Sequence, residues 1–365
     1  MKARPRPAWP ASPHPTGVPL DPAAMDSARP TRLAGGWRPW LASLVITGGI
    51  FWYLLAQIDP AEILATARGM TPRYLWAFLA LLLAGVITRA VRFWVLLGQN
   101  TRFSLLTGIV LARNLFVDLL PARLGEFSYV YLLTTRAGRP VEDGLASLML
   151  AVAFDVVALA PLLVLAVLVV GGGGAVAGPW LALAAVALGL VAYFVARMAA
   201  PIGMRIAEWL APAPTGATGR RVQLAALIRR TAEALGSVWT RGIFTPVLLL
   251  SMIVRVCKFG SYYFLVLAIM GGLGLSASSL GFFRVFLGVV SAELAAALPI
   301  HGIAGFGTFE AAWAFSFTQL GFARSDAIVS GILAHAVSQV VEYSLGACAL
   351  LYLMLPGMRH DAARP

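Results

Sequence analysis

Six apolar runs, each long enough to cross a lipid bilayer, constrain this chain of 365 residues more than any other feature. A helix needs about 20 residues to cross the hydrocarbon core. The runs cover residues 38–57, 73–97, 145–170, 178–197, 243–270 and 327–355. Only 12% of the residues are charged, against about 25% in a soluble domain. The sequence therefore predicts an all-α polytopic membrane protein with six full spans.

Two further apolar stretches, residues 104–136 and 277–322, are interrupted at membrane depth by proline and glycine. These residues free backbone groups that protein or water must then satisfy. Each stretch therefore predicts a re-entrant hairpin, made of a helix, a break and a second helix. The predicted breaks lie at Pro121, Gly125, Pro299, Gly305 and Gly307.

Charged side chains inside these apolar stretches are the strongest functional signal. One charge at the centre of a span costs about 2.5–3.5 kcal/mol on insertion scales, so such residues usually serve a function. Basic residues slightly outnumber acidic ones, which mildly favours a phosphate ligand. The basic residues are Arg89, Arg92, Arg113, Arg123, Arg255, Lys258 and Arg284, and the acidic residues are Asp118, Glu126, Asp155, Glu293, Glu310 and Glu342.

Two pairs of basic residues each share one helix face, because their members lie three positions apart. They are Arg89 with Arg92 and Arg255 with Lys258. Paired N–H donors on one face can clamp a phosphate. Snorkelling of Arg92 and Arg255 to the nearest interface is the alternative. With Arg113, Asn114, Arg123 and Arg284 added, these residues form the predicted substrate-binding set.

The acidic residues and two histidines form a second predicted set, for ion pairing or proton coupling. Glu126 could instead stabilise a helix dipole, and Arg113 with Asp118 could be a purely structural pair. A relay through Glu293, His301 and Glu310 is conceivable, whereas a buried histidine is commonly a satisfied core residue. The set is Asp118, Glu126, Asp155, Glu293, His301, Glu310, His335 and Glu342.

The order of these features predicts an inverted-topology repeat, with half one at about 73–170 and half two at about 243–355. Each half carries a basic pair, a Leu-Pro break, a glutamate and a long span with an acidic residue. With cytoplasmic termini, 18 basic residues fall inside and 3 outside, as the positive-inside rule favours. Residues 1–37 are then a disordered Pro/Arg-rich tail, 201–241 a basic cytoplasmic loop with a surface helix, and 356–365 a short tail.

Three blocks of this sequence resemble the flippase-like membrane domain of the lysylphosphatidylglycerol synthase family. They are Arg89-Ala-Val-Arg92, Asn114 to Glu126, and Leu298 to Ala312. The resemblance covers about residues 38–355 and implies movement of a phospholipid or lipid-linked precursor between leaflets. The chain ends ten residues after Leu355, so we expect a stand-alone member without the aminoacyl-transferase domain. His335 departs from the pattern, because an arginine is expected there in many relatives.

These observations favour a lipid flippase or scramblase of the bacterial cytoplasmic membrane rather than an enzyme. The partners we expect are membrane lipids, with a lipid-synthesising enzyme as a possible protein partner. In a membrane protein the net charge of +12 suggests anionic lipid rather than nucleic acid. We expect no cofactor and no metal. Two alternatives stay open, an intramembrane enzyme acting on a lipid-linked substrate and a non-transporting member of a lipid-modifying complex.

Overall fold

The computed structural model describes residues 48–50, 52–120, 125–170, 177–211, 220–275, 280–296 and 306–355. Within these ranges the regular secondary structure is helical throughout. The predicted tails 1–37 and 356–365 lie outside the described residues, as does much of the first predicted span.

Eleven helices have defined ends and are numbered here in chain order. They are α1 Pro60–Arg68, α2 Pro72–Leu96, α3 Phe103–Leu119, α4 Glu126–Ala137, α5 Val141–Val170, α6 Ala177–Leu210, α7 Arg220–Thr240, α8 Phe244–Gly272, α9 Phe282–Ala296, α10 Thr308–Gln319 and α11 Arg324–Met354.

Five of these helices are long and apolar enough to cross a membrane. They are α2, α5, residues Pro179–Leu210 of α6, α8 and α11. Each coincides with a predicted span, and residues 48–50 and 52–55 of the remaining span are also helical. Large apolar side chains of α6, such as Trp180, Leu190 and Phe194, are exposed on the protein surface, as lipid-facing residues are.

Helix α6 extends beyond the predicted span 178–197 and continues past Pro201 to Leu210, while the placement of residues 201–241 on the cytoplasmic side stays a prediction. The extension packs closely against α7. An ideal Cβ on Gly203 would lie 2.9 Å from the Cβ of Ala232, so α6 and α7 approach closely at a pair of small residues. Such close approach is typical of helices packed in membranes. The helix predicted inside this segment is present as α7.

Helix α1 was not predicted from the sequence. The Asp59 side chain caps it by accepting a hydrogen bond of 2.8 Å from the Ala61 N–H, and Pro60 occupies its first position. Both are ordinary helix-start signals. The helix packs against α8 and α11.

Both predicted interruptions lie between two short helices. Helix α3 ends at Leu119 and α4 begins at Glu126, while α9 ends at Ala296 and α10 begins at Thr308. Gly307 precedes α10 with φ 93°, a conformation that L side chains rarely adopt. The predicted break residues Pro121, Pro299 and Gly305 lie outside the described residues.

Helices of the two predicted halves pack across each other. Helix α2 lies against α8, α3 against α11, and α9 against α5. One hydrophobic core surrounds α9 and α10, with Phe286 and Trp313 fully buried. The other surrounds α3 and α4, with Ile109 and Leu133 fully buried. This arrangement brings the middles of the long helices together.

Candidate functional site

A cavity of about 380 Å³ lies where α2, α3, α5, α8 and α11 meet, with single residues added from α4, α9 and α10. Its lining combines apolar side chains with His335 and ten further acidic or basic residues. These are Arg89, Arg92, Arg113, Arg255 and Lys258, and Asp118, Glu126, Asp155, Glu293 and Glu342. Five basic and five acidic groups give no excess of positive charge, in contrast to the excess counted from the apolar stretches.

The central charges of the cavity lie at the middle of their helices. Asp155 is central in the 30-residue α5, and Lys258 is central in the 29-residue α8. Glu342 lies near the middle of the 31-residue α11. Since these helices are long enough to span a bilayer, the charges sit far from either interface.

Asp155 joins the two predicted basic pairs. Arg92 donates through Nη1 to Oδ1 of Asp155 at 2.5 Å and through Nη2 to Oδ2 at 3.4 Å. The Nη2 atom of Arg255 lies 3.5 Å from Oδ2, and its Nε donates to the Asp155 carbonyl at 3.2 Å. A planar guanidinium suits such two-point binding.

This network gives Arg92 and Arg255 an alternative to snorkelling. The Arg92 residue is only 1% exposed, and its Nη1 also donates to the Ser251 hydroxyl at 3.0 Å. A side chain that snorkels would instead place its charged head group in water. Asp155 therefore fixes one arginine from each basic pair at the centre of the cavity.

A second network ties the first interrupted helix to α2. Arg113 binds Glu126 through both Nε and Nη2, so α3 is held to the start of α4. The Asn114 Oδ1 atom accepts from Arg89 at 3.0 Å and from Arg113 at 3.2 Å. The alternative of a structural pair between Arg113 and Asp118 is not observed, since Arg113 pairs with Glu126. Arg89 is thus bound by a neutral amide and by no carboxylate of the described residues.

The third pair joins Lys258 to Glu293, with Nζ 2.7 Å from Oε1. Glu293 therefore joins α9 to α8. In the described part of the chain it has no hydrogen bond to Glu310, the other glutamate of the relay considered above. Asp118 and Glu342 also line the cavity. Among the described residues, neither carboxylate has an ion pair or hydrogen bond. Carboxylates left open at this depth are costly unless a proton, a cation or a ligand reaches them.

His335, which lines the cavity, forms a buried pair with Glu310 behind it, with Nδ1 2.6 Å from Oε1. The other Glu310 oxygen accepts from the Gly307 N–H at 2.7 Å, in the manner of a capping box. Phe306 stacks on the imidazole with ring centroids 4.3 Å apart. Glu310 itself is fully buried and is not among the cavity-lining residues. The pair therefore anchors α10 to α11, which fits the structural alternative for His335.

We expect Glu310→Ala to lower the thermal unfolding midpoint in detergent. The change leaves the buried Gly307 N–H and His335 Nδ1 without their acceptor, and each unsatisfied group costs about 1–3 kcal/mol. Intrinsic tryptophan fluorescence during heating measures the effect. Glu208→Ala removes an exposed acid and serves as the matched control. Equal midpoints for the two variants would contradict an anchoring role.

The structure does not bring every predicted residue into the cavity. Arg284 lies on the exposed side of α9 and does not line it. Arg123 and His301 lie outside the described residues, so their predicted roles stay predictions. Gly125 stands directly before α4, where an ideal Cβ would overlap the Phe116 carbonyl group. A larger residue therefore does not fit at this break.

Several neutral polar residues of the site were missed from the sequence, among them Ser251 and Gln339. Ser251 binds Arg92 and lies four positions before Arg255, so helical spacing could have found it. Gln339 lines the cavity between His335 and Glu342, with its Nε2 3.0 Å from His335 Nε2. Its Oε1 atom is buried without a partner in the described chain. Neutral polar residues in a span carry a weaker sequence signal than charges.

In the parts of the chain that the structure describes, no group of three or more His, Cys, Asp or Glu side chains is placed to hold a metal ion. The family model described as the lysylphosphatidylglycerol synthase TM region matches residues 40–346. No curated protein matches the chain. The family match confirms the resemblance seen in the sequence and includes every residue that lines the cavity.

Proposed function

Because this chain belongs to the family of the lysylphosphatidylglycerol synthase TM region, we propose that it is a lipid flippase or scramblase. It moves a phospholipid or a lipid-linked precursor between the leaflets of the cytoplasmic membrane. The family and the spanning helices indicate a membrane protein with a role connected to lipids. The movement between leaflets is the step that we add.

The observation that carries this proposal is the charged cavity at mid-span depth. A lipid headgroup must cross the hydrocarbon core, where an unpaired phosphate is strongly disfavoured. Arg89 and Lys258 offer donors at this depth, while the acyl chains stay in the bilayer. Phosphate is well matched to arginine, which presents its N–H groups in a rigid fork.

We further propose that the chain has six full spans and two re-entrant hairpins, arranged as an inverted repeat. Helices α4 and α10 have 12 residues each, which is about 18 Å at 1.5 Å per residue and too short for a hydrocarbon core of about 30 Å. The exchanged packing of α3 on α11 and of α9 on α5 is what a two-fold relation between the halves produces. Secondary transporters bind substrate where such broken helices meet.

In this proposal both termini face the cytoplasm, because 18 of the 28 basic residues then lie inside. The exposed arginines of α7, among them Arg221 and Arg229, would face anionic lipid or an enzyme that makes the substrate. Transport would be passive or ion-coupled. Asp118 and Glu342, which have no ion-pair partner among the described residues, are candidates for coupling.

Reconstitution in liposomes tests the function. We expect purified protein to speed the movement of leaflet-labelled phospholipid above that in empty vesicles, because the cavity lowers the barrier for the headgroup. The assay compares anionic, zwitterionic and aminoacylated lipids, with and without a proton gradient. Glu310→Ala protein that has been heat-unfolded before reconstitution controls for leakage.

Two outcomes would overturn the proposal. The first is lipid movement equal to that in empty vesicles, for all lipids and gradients, which would contradict transport. The second is a change in the chemical structure of the recovered lipids, which mass spectrometry would detect. A chemically altered lipid would place the protein among intramembrane enzymes acting on a lipid-linked substrate.

A further inference from the structure

The ion pairs of the cavity are distributed unequally over its two central carboxylates. Asp155 on α5 holds Arg92 and Arg255. Glu342 on α11 holds no cation within the described residues, although it lines the same cavity. Lys258 and Arg89 line this cavity together with Glu342. Both are bound elsewhere, Lys258 to Glu293 and Arg89 to Asn114.

This inequality is unexpected from the order of residues along the two halves. Asp155 takes the second residue of the Arg89–Arg92 pair and the first of the Arg255–Lys258 pair. An exchange of the halves maps those two cations onto Lys258 and Arg89, which line the cavity with Glu342. Asp143 and Asp326 occupy equivalent positions in the two halves. Glu342 follows Asp326 by one helical turn more than Asp155 follows Asp143, so the two acids lie on equivalent helix faces.

The packing of α3 on α11 explains why an open Glu342 is unfavourable. An ideal Cβ on Gly108 would lie 3.3 Å from Leu353, and one on Gly346 would lie 2.6 Å from Leu115. The contact moves from Gly108 to Leu115 along α3 while it moves from Leu353 back to Gly346 along α11, so the two helices run antiparallel. About one helical turn beyond Leu115 and Gly346, this register brings Asp118 opposite Glu342. Two carboxylates facing each other in low dielectric repel unless a cation or proton reaches them.

We propose that Glu342, Lys258 and Arg89 form a second ion cluster that closes when the Asp155 cluster opens. The inference rests on the proposed function, since the two arrangements would be the two gating states of the transporter. In the present structure the Asp155 cluster is closed, and Lys258 and Arg89 are held by Glu293 and Asn114. In the opposite state Glu342 takes both cations. A lipid phosphate competes with Glu342 for the same donors, which couples headgroup binding to the exchange.

The test uses two matched variants, Glu342→Gln and Glu293→Gln. Both remove one negative charge from the cavity lining, so an effect of net charge alone would be the same for both. Glu342→Gln removes the acceptor of the opposite state and should favour the present arrangement. Glu293→Gln releases Lys258 toward Glu342 and should favour the opposite one.

The measurement is the accessibility of one cavity cysteine to a membrane-impermeant maleimide. Val117→Cys places it on the cavity lining, in a chain whose own Cys257 and Cys348 are replaced by alanine. The reagent is added to one side or the other of sealed, uniformly oriented vesicles of phosphatidylglycerol and phosphatidylethanolamine. We expect the ratio of the two labelling rates to shift in opposite directions, by about twofold to fivefold each, as partly exposed ion pairs allow.

Shifts in the same direction, or no shift in variants that keep their unfolding midpoint, would overturn the proposal. If either variant has a lowered thermal unfolding midpoint, two substitutions of Lys258 are used in its place. Lys258→Arg keeps the exchange possible and should label like the parent, whereas Lys258→Gln should not. Labelling requires no transport. Opposite shifts in a protein that moves no lipid would therefore retain the exchange and reject the transport function.

Discussion

Replacing Asp155 with asparagine should cost more stability than any other single charge change in the cavity. The change removes the carboxylate that binds Arg92 twice and also contacts Arg255. Arg92 is 1% exposed and would keep Ser251 as its remaining described partner. Removing one partner of a buried ion pair costs about 3–5 kcal/mol, because the other charge stays buried without compensation.

We expect a cost for Asp155→Asn near the lower end of that range, about 3 kcal/mol, since the Asp155 side chain is 23% exposed to the cavity. Thermal unfolding in detergent, followed by tryptophan fluorescence, measures it. Glu293→Gln is the control, because its pair with Lys258 is more exposed and should be worth no more than about 1 kcal/mol.

A double variant separates the loss of the pair from any loss of packing. Asp155→Asn combined with Arg92→Gln removes both charges of the most buried pair, so that only the more exposed Arg255 is left without its carboxylate. If the uncompensated charge is the cause, the double variant should unfold at a higher temperature than Asp155→Asn alone. A double variant that is equally unstable or worse would show that Asp155 acts through shape rather than charge.

The long helices could be predicted from the sequence because their signal is local. Helix α2 was predicted at residues 73–97 and runs from Pro72 to Leu96, and α8 was predicted at 243–270 and runs from Phe244 to Gly272. An apolar run of this length has few alternatives in a membrane. Helix α6 ends at Leu210, beyond the predicted span, and its extension packs against α7 where Gly203 lies close to Ala232. Local hydropathy does not reveal a contact of this kind.

The members of the cavity could also be predicted, whereas their partners could not. Their position in apolar runs already indicates that Arg92, Asp155 and Lys258 need polar or charged partners. Which carboxylate each cation takes depends on helix packing between residues more than 60 positions apart, as for Arg92 and Asp155. For the same reason the sequence did not separate Glu310, which anchors a helix, from Glu342, which faces the cavity.

Replacing Arg89 with glutamine should abolish most lipid binding while the fold is retained. Arg89 is the cavity cation whose described partner is a neutral amide, the Asn114 side chain. Its guanidinium can therefore bind a phosphate without first breaking an ion pair with a carboxylate. The other cations each hold a carboxylate already, Arg113 being bound to Glu126.

The expected size follows from one charge-assisted hydrogen-bonding contact to the phosphate, worth about 1.5–3 kcal/mol. At 1.4 kcal/mol per factor of ten, the apparent affinity for a phosphate-bearing lipid should fall about tenfold to a hundredfold. The measurement is the dependence of the initial flip rate on lipid fraction in proteoliposomes. Unfolding midpoints should stay close to those of the parent, since only the bond to Asn114 is lost.

Two further variants decide what property of Arg89 matters. Arg89→Lys keeps the charge but loses the planar fork, so its affinity should lie between those of the parent and Arg89→Gln. Arg284→Gln removes an arginine that does not line the cavity and should leave the rate unchanged. If Arg284→Gln impaired transport as strongly as Arg89→Gln, the headgroup would cross by a route along α9. Intact affinity in Arg89→Gln would instead require a substrate that the protein recognises without this phosphate contact.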